Sequence, residues 1–132
     1  MKSGFAVGTI AGLIAGIWGG LVQDLLFINL GLYYLPITDI YIYFLNAIPS
    51  LGINAIFGAF FGLLGAIIFD SISGNRILKG LAIGLIYCLF TALYPVHAFW
   101  AFDNPVWAYV FLISSPIDKF IYGIVFAFLY KK

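Results

Sequence analysis

The sequence predicts an all-α integral membrane protein with about five transmembrane helices, and three observations lead to that prediction. Of the 132 residues, 64% are hydrophobic and 8% are charged, with a mean hydropathy of +1.13, whereas about a quarter of a soluble domain is charged. Apolar runs long enough to cross a bilayer recur along the chain. These runs lack the alternation of polar and apolar residues that membrane strands require.

The predicted helices follow the apolar runs in order, at about 4–28, 31–48, 51–70, 76–94 and 116–130. The first run could instead be a signal peptide with Lys2 as its positive region. Its glycine pattern, however, recurs in the interior of the chain, where no signal peptidase acts. The run is therefore interpreted as a first transmembrane helix.

The segment before the last helix predicts an extra short helix at about 105–114. An Asn-Pro dipeptide at its start suits a helix cap and first turn, and a Ser-Pro dipeptide follows about ten residues later. Ten residues are too few to span a bilayer, so this helix is expected to be interfacial or re-entrant. The alternative is one proline-kinked helix over 105–130, which would place Asp118 and Lys119 in the middle of the membrane.

Two glycine-rich stretches share their spacing, "GLIAGIWGGLVQD" from Gly12 to Asp24 and "GAFFGLLGAIIFD" from Gly58 to Asp70. The match predicts a single membrane domain, 1–132, built from a parallel tandem repeat of glycine-rich helical hairpins. Because each unit holds two helices, the copies are expected to keep one orientation. The units are repeat 1 at about 4–49, repeat 2 at about 50–95 and a partial third unit at about 114–132.

Small residues recur about four apart on several helices and form smooth stripes. In membranes such stripes let two helix backbones approach closely. They could pack the helices of one chain or join subunits, and the small size of the bundle favours a homo-oligomer or an assembly with other membrane subunits. The predicted packing residues are Gly12, Gly16, Gly19, Gly20, Gly58, Gly62, Gly65, Gly80, Gly84, Gly123 and Ala127.

Polar residues also repeat, since Asp24 and Asp70 are each followed five residues later by Asn29 and Asn75. Ionisable groups inside a membrane are costly and mark ion, proton or substrate paths, so these four residues are a candidate polar pathway. The alternative is that the carboxylates are solvated at helix ends. Asp118, in "SPID", is interpreted as the capping-box acid of a helix start.

Other site classes find little support in the sequence. A net charge of +1 provides no basic field for nucleic acid. The single histidine, His97, and the single cysteine, Cys88, are too few for a metal or haem site, so no metal and no cofactor are expected. No catalytic motif occurs, and the protein is not expected to be an enzyme.

The basic residues predict an orientation for five spans. Arg76, Lys79 and the two C-terminal lysines then fall on one side, and Lys2 and Lys119 on the other. The positive-inside rule places the larger group in the cytoplasm. The N-terminus is therefore expected outside and the C-terminus in the cytoplasm.

The stretch "GLIAGIWGGLVQDLL" resembles the glycine-rich helix, ending in an acidic residue, of the membrane-embedded substrate-binding components of energy-coupling-factor vitamin transporters. The resemblance covers about fifteen residues and implies a transport role. Those components usually have six helices and a longer chain, and no family is assigned.

Three functions from different classes are therefore considered. The preferred one is a non-enzymatic subunit or self-assembling scaffold of a membrane complex. The alternative is a small transporter or channel component in which Asp24 and Asp70 line a polar pathway. The third is a membrane enzyme acting on lipid, which would need His97, Asp103 and Asp118 to converge at one interface.

Overall fold

The computed structural model describes residues 2–19, 40–91 and 105–131. Within these ranges all regular secondary structure is helical, which confirms the predicted all-α class. The helices are α1 (Lys2–Ile17), α2 (Ile40–Ile68), α3 (Arg76–Thr91) and α4 (Pro105–Leu129).

Two predicted helix breaks are absent, and both predictions were wrong. The chain is helical without interruption across 49–50, where a turn between two helices was expected. It is also continuous from Pro105 through Pro116, so 105–114 is the first part of α4 and not a separate interfacial helix. The observed α4 corresponds to the alternative prediction of one proline-containing helix over 105–130. A proline kinks a membrane helix without ending it when neighbouring groups satisfy the freed backbone.

The helices pack as two antiparallel pairs. Gly4 of α1 lies against Ala66 of α2, whereas Gly16 near the other end of α1 lies against Asn54. In the second pair, Gly80 of α3 lies against Ile124 of α4, and Gly84 lies against Phe120. The glycine-bearing segments of α1 and α2 therefore point in opposite directions, which corrects the prediction that the repeated units keep one orientation.

Both ends of the described chain lie at one end of the bundle. The Nη1 of Arg76, at the start of α3, donates to the carbonyl of Phe128, 3.3 Å away, at the end of α4. The Nζ of Lys79 donates to the carbonyl of Phe69 at 2.8 Å, just after α2, and Gly4 packs one turn earlier on α2. The predicted orientation was based on five membrane spans, and an odd number of spans places the two termini on opposite sides of the membrane. The arrangement of the described helices instead places them at the same end of the bundle.

A tight turn connects α2 to α3. Gly74 has a φ of 112°, a left-handed conformation that glycine adopts without a Cβ clash. Asn75 then caps α3, since its Oδ1 accepts the backbone N–H of Leu78 at 3.0 Å. This side chain satisfies one of the unpaired donors at the helix start.

Large apolar side chains cover the outside of the bundle. Ile56, Leu89 and Phe90 are 71%, 66% and 68% exposed, whereas Tyr122 and Phe126 are fully buried. Among the described residues one segment, Leu51–Ile68, is long and apolar enough to cross a membrane, and Ser3–Ile17 is a shorter apolar helix. An exposed surface of this kind favours membrane association.

Candidate functional site

Backbone-to-backbone contact between α1 and α2 depends on four glycines. A Cβ added at Gly8 would lie 2.6 Å from the Cα of Gly62, and one added at Gly12 would lie 2.9 Å from the Cα of Gly58. Additions at Gly58 and Gly62 would meet the backbone of α1 in the same way. No larger residue fits at these positions unless the helices move apart.

This interface has a local two-fold character. The Cβ position of Gly12 faces the carbonyl of Asn54 and the Cα of Gly58, and that of Gly58 faces the carbonyl of Gly8 and the Cα of Gly12. Gly12 and Gly58 are the residues that correspond in the repeated sequence. Equivalent positions of the two stretches therefore contact one another across an approximate two-fold axis.

A second set of small residues joins α3 to α4. A Cβ at Gly80 would lie 2.8 Å from the Cα of Ile124, and one at Gly84 would lie 2.9 Å from the Cα of Phe120. From the opposite helix, an addition at Gly123 would lie 2.6 Å from the backbone nitrogen of Gly84. Both helix pairs therefore depend on the same close approach.

The remaining predicted packing residues occupy several environments. Gly65 faces the ring of Phe126, 3.0 Å from its Cβ position, and Ala127 is fully buried. Gly19 faces Asp118 of α4, and Gly20 lies outside the described residues. The sequence reasoning missed Gly4 and Gly8, although they continue the spacing of four residues toward the N-terminus.

Aromatic side chains fill the space between the two helix pairs. The rings of Phe61 on α2 and Tyr87 on α3 stack with centroids 4.0 Å apart, and Tyr87 meets Tyr122 of α4 edge-on at 4.9 Å. The buried hydroxyl of Tyr122 donates to the carbonyl of Gly58 at 2.8 Å. This hydrogen bond connects the second pair to the glycine interface of the first.

An ion pair lies inside the bundle beside this aromatic cluster. The Nζ of Lys119 is 2.8 Å from the Oδ2 of Asp118, and the side chains are 12% and 16% exposed, respectively. The same Nζ lies 5.0 Å from the ring centroid of Tyr87, within cation–π range. The Oδ1 of Asp118 is buried and has no hydrogen-bond partner among the described residues.

The structure corrects the interpretation of Asp118 as a capping-box acid. Because α4 begins at Pro105, Asp118 lies in the helix interior, thirteen residues after its start. From Asp118 to Leu129 is eleven residues, or about 16 Å along the helix axis at 1.5 Å per residue. Its neighbour from the N-terminal part of the chain is Gly19, just after α1, whose Cβ position lies 3.6 Å from the Oδ2 of Asp118.

Of the predicted polar pathway, Asp70 and Asn75 are both exposed in the connection between α2 and α3. Asn75 serves as the helix cap described above. Asp24 and Asn29 lie outside the described residues, so the pathway of the four residues stays a prediction. His97 and Asp103 of the lipid-enzyme hypothesis also fall outside them.

In the part of the chain that the structure describes, no group of three His, Cys, Asp or Glu residues could hold a metal ion. The sulfhydryl of Cys88 is half-buried and unpaired with another cysteine. Searches with this chain against protein-family models, curated proteins and solved structures gave no match.

Proposed function

We propose that this chain is a multi-pass membrane protein that serves as a non-enzymatic component of a membrane complex. The supporting observation is the division of its surfaces: glycines pack against backbone inside the bundle, whereas large apolar side chains cover the outside. Lipid tails are as apolar as leucine, so helices in a bilayer associate through close packing of small residues. A bundle sorted in this way suits hydrocarbon better than water.

In this proposal the described helices cross the membrane four times, and both termini are cytoplasmic. Lys2, Arg76, Lys79 and Lys131 all belong to the end of the bundle that holds the connection between α2 and α3. The positive-inside rule assigns that end to the cytoplasm. Basic residues are therefore distributed more unequally between the two sides of the membrane than in the five-span arrangement with the N-terminus outside.

Association with other copies or other subunits would use the outer apolar faces. The glycines at the α1–α2 and α3–α4 contacts are already engaged inside the chain, so they are not available to a partner without rearrangement. The exposed face of α2, with Ile53, Ile56 and Phe60, is apolar enough to lie in lipid or against a second apolar helix. Native mass spectrometry from lipid nanodiscs distinguishes a homo-oligomer, a complex with other subunits and a monomer.

Cysteine accessibility tests the proposed topology. In a Cys88→Ala background, single cysteines replace Ser3, Ser73 or Lys131, which are all exposed at one end, and membrane-impermeant maleimide is applied to spheroplasts and to inverted vesicles. All three should react in inverted vesicles and none in spheroplasts. Ile56→Cys, on the outer face of α2, is the lipid-facing control and should react in neither. Labelling of Ser3→Cys from the side opposite to Lys131→Cys would contradict the four-span arrangement.

A second candidate function, a small transporter or channel component, is favoured by the ion pair of Asp118 and Lys119. About 16 Å along α4 from Leu129 is about half the 30 Å thickness of the hydrocarbon core, so the pair would lie near the membrane centre. Charges at that depth are rare and mark transport paths. The predicted pathway of Asp24 and Asp70 stays a separate prediction.

Proton flux tests this candidate. Purified protein is reconstituted into liposomes that contain a pH-sensitive dye, and a potassium diffusion potential is imposed with valinomycin. Asp118→Asn should abolish a flux that wild-type protein supports while the oligomer mass stays unchanged. Lys131→Gln is the control that removes a charge, since Lys131 is exposed beyond the end of α4, and loss of flux in Asp70→Asn would instead support the predicted pathway of Asp24 and Asp70. Equal flux through empty liposomes and liposomes with wild-type protein would count against a proton pathway.

A further inference from the structure

The Asp118–Lys119 contact is an unusual ion pair because its members are adjacent in the sequence. Adjacent side chains on a helix point about 100° apart and do not normally face one another. The contact at 2.8 Å therefore requires the two side chains to bend toward each other. Neither α1 beyond Lys2 nor α2 contains any Asp, Glu, Lys, Arg or His. Since α1 beyond Lys2 and α2 offer no charged residue, Asp118 and Lys119 serve as each other's counter-charge.

The two members of the pair are held unequally. The Lys119 ammonium has the carboxylate on one side and the face of the Tyr87 ring on the other. Asp118 has one oxygen on Lys119 and a second oxygen, Oδ1, that is buried without a partner among the described residues. An ionised carboxylate with an unpaired buried oxygen is costly in an apolar interior. Protonation of the Asp118 carboxyl would therefore remove this cost.

A second unpaired polar atom lies on the helix that covers the pair. The indole Nε1 of Trp18 is also buried without a hydrogen-bond partner in the described part of the chain. Trp18 directly precedes Gly19, which faces Asp118. Buried polar atoms without partners are rare in folded proteins and call for an explanation. Here an acceptor on α4 and a donor next to the contact on α1 are both unsatisfied.

From this arrangement we infer that Asp118 is a proton-binding site inside the membrane, with Lys119 as its fixed counter-charge. The inference rests on the proposed membrane-spanning arrangement and deepens the transport candidate. A proton on the Asp118 carboxyl removes its charge, and with it the cost of burying an ionised group in an apolar interior. A metal cation would instead need several oxygen ligands and would meet the positive charge of Lys119.

The groups around Asp118 on each packed helix are consistent with a single titrating carboxyl. On α4, Lys119 pairs with Asp118 and Tyr122 lies one turn away from it, and Tyr87 of α3 contacts both Lys119 and Tyr122. Gly19, just after α1, also faces Asp118 and does not ionise. Arg76 and Lys79 bond to carbonyls at the cytoplasmic end of the proposed arrangement, away from the pair.

Two carbodiimides of different solubility test the inference on the full-length wild-type protein in membranes. The hydrophobic reagent dicyclohexylcarbodiimide adds to a protonated carboxyl in an apolar site, and a water-soluble carbodiimide with an amine modifies exposed carboxyls. Mass spectrometry of proteolytic fragments assigns each modification to a residue. We expect Asp118 to react only with the hydrophobic reagent and exposed Asp70 only with the soluble one.

The decisive measurement is the pH dependence of the rate at which dicyclohexylcarbodiimide labels Asp118. Above the midpoint of titration, the labelling rate of Asp118 should fall about tenfold per pH unit, as the protonated fraction does. Lys119→Met should increase labelling at neutral pH, because the charge that favours the carboxylate is gone. Lys119→Arg keeps the charge and should leave labelling close to wild type.

The possible failures separate the two proposals. If Asp118 reacts with the soluble reagent as readily as Asp70, α4 is not embedded, and both the membrane arrangement and the proton site are refuted. If Asp118 reacts with neither reagent, or reacts at a rate independent of pH, the proton site is refuted and the membrane arrangement stands. If Lys119→Met leaves the labelling rate unchanged, Lys119 is not the counter-charge.

Discussion

Replacing Gly58 by alanine tests the close backbone contact between α1 and α2. The added Cβ would lie 2.7 Å from the Cα of Gly12 and 3.0 Å from its nitrogen, whereas non-bonded carbon atoms pack best at about 3.5–4.0 Å. Helices α1 and α2 would therefore have to separate by about 1 Å. Gly52, on the same helix, is exposed and has no atom within 4 Å of its Cβ position, which makes Gly52→Ala a matched control.

The expected magnitude follows from two opposing terms. Forcing an extra methyl group into a packed interface costs about 1–3 kcal/mol. Alanine in a helix gains about 0.5–1 kcal/mol over glycine, and this gain is common to both variants. The free energy of unfolding of Gly58→Ala should consequently fall about 1–3 kcal/mol below that of Gly52→Ala, which should match or exceed wild type.

The assay is unfolding of purified protein in mild-detergent micelles by increasing mole fractions of dodecyl sulfate, followed by far-ultraviolet circular dichroism. The same samples, measured by tryptophan fluorescence, report whether tertiary contacts and helices are lost together. If the two alanine variants unfold within about 0.5 kcal/mol of each other, a difference no larger than that of an ordinary surface substitution, the close approach of α1 and α2 is refuted.

Three further variants can be measured in the same titration. Tyr122→Phe keeps the ring but removes the hydrogen bond to the buried Gly58 carbonyl, so it should cost about 1 kcal/mol; no loss would show that the carbonyl finds another donor. Asn75→Ala removes the cap of α3 and should cost about 1 kcal/mol, with Asn75→Asp restoring most of it. Gly74→Ala places a side chain at a φ of 112° and should destabilise by about 1 kcal/mol or more, whereas a neutral effect would contradict the left-handed turn.

The sequence predicted the helical class, because that class depends on local features. Composition identifies the apolar surroundings, and glycines four apart identify a smooth helix face. The direction of packing is not encoded in that spacing. A spacing of four residues between glycines is unchanged when the direction of the helix is reversed, so Gly12 can face Gly58 equally well in parallel or antiparallel helices.

The position of Asp118 was mispredicted because a proline has two meanings in a helix. The stretch "SPID" fits a helix start, with proline in the first turn, and it fits equally well a kink within a longer helix. The choice between them depends on whether the preceding residues are helical, which packing along α4 decides. The signal that could have identified the ion pair was the occurrence of Asp118 and Lys119 inside one otherwise apolar stretch of 25 residues.

The glycine interface and the ion pair are physically coupled through α1. Gly8 and Gly12 bring α1 against α2, and the chain continues directly from α1 to Gly19, which faces Asp118. An outward shift of α1 of about 1 Å, as expected when a methyl group enters the glycine interface, would loosen the cover of the carboxyl. The small residues therefore do more than stabilise the bundle, because they also set how far Asp118 is shielded from its surroundings.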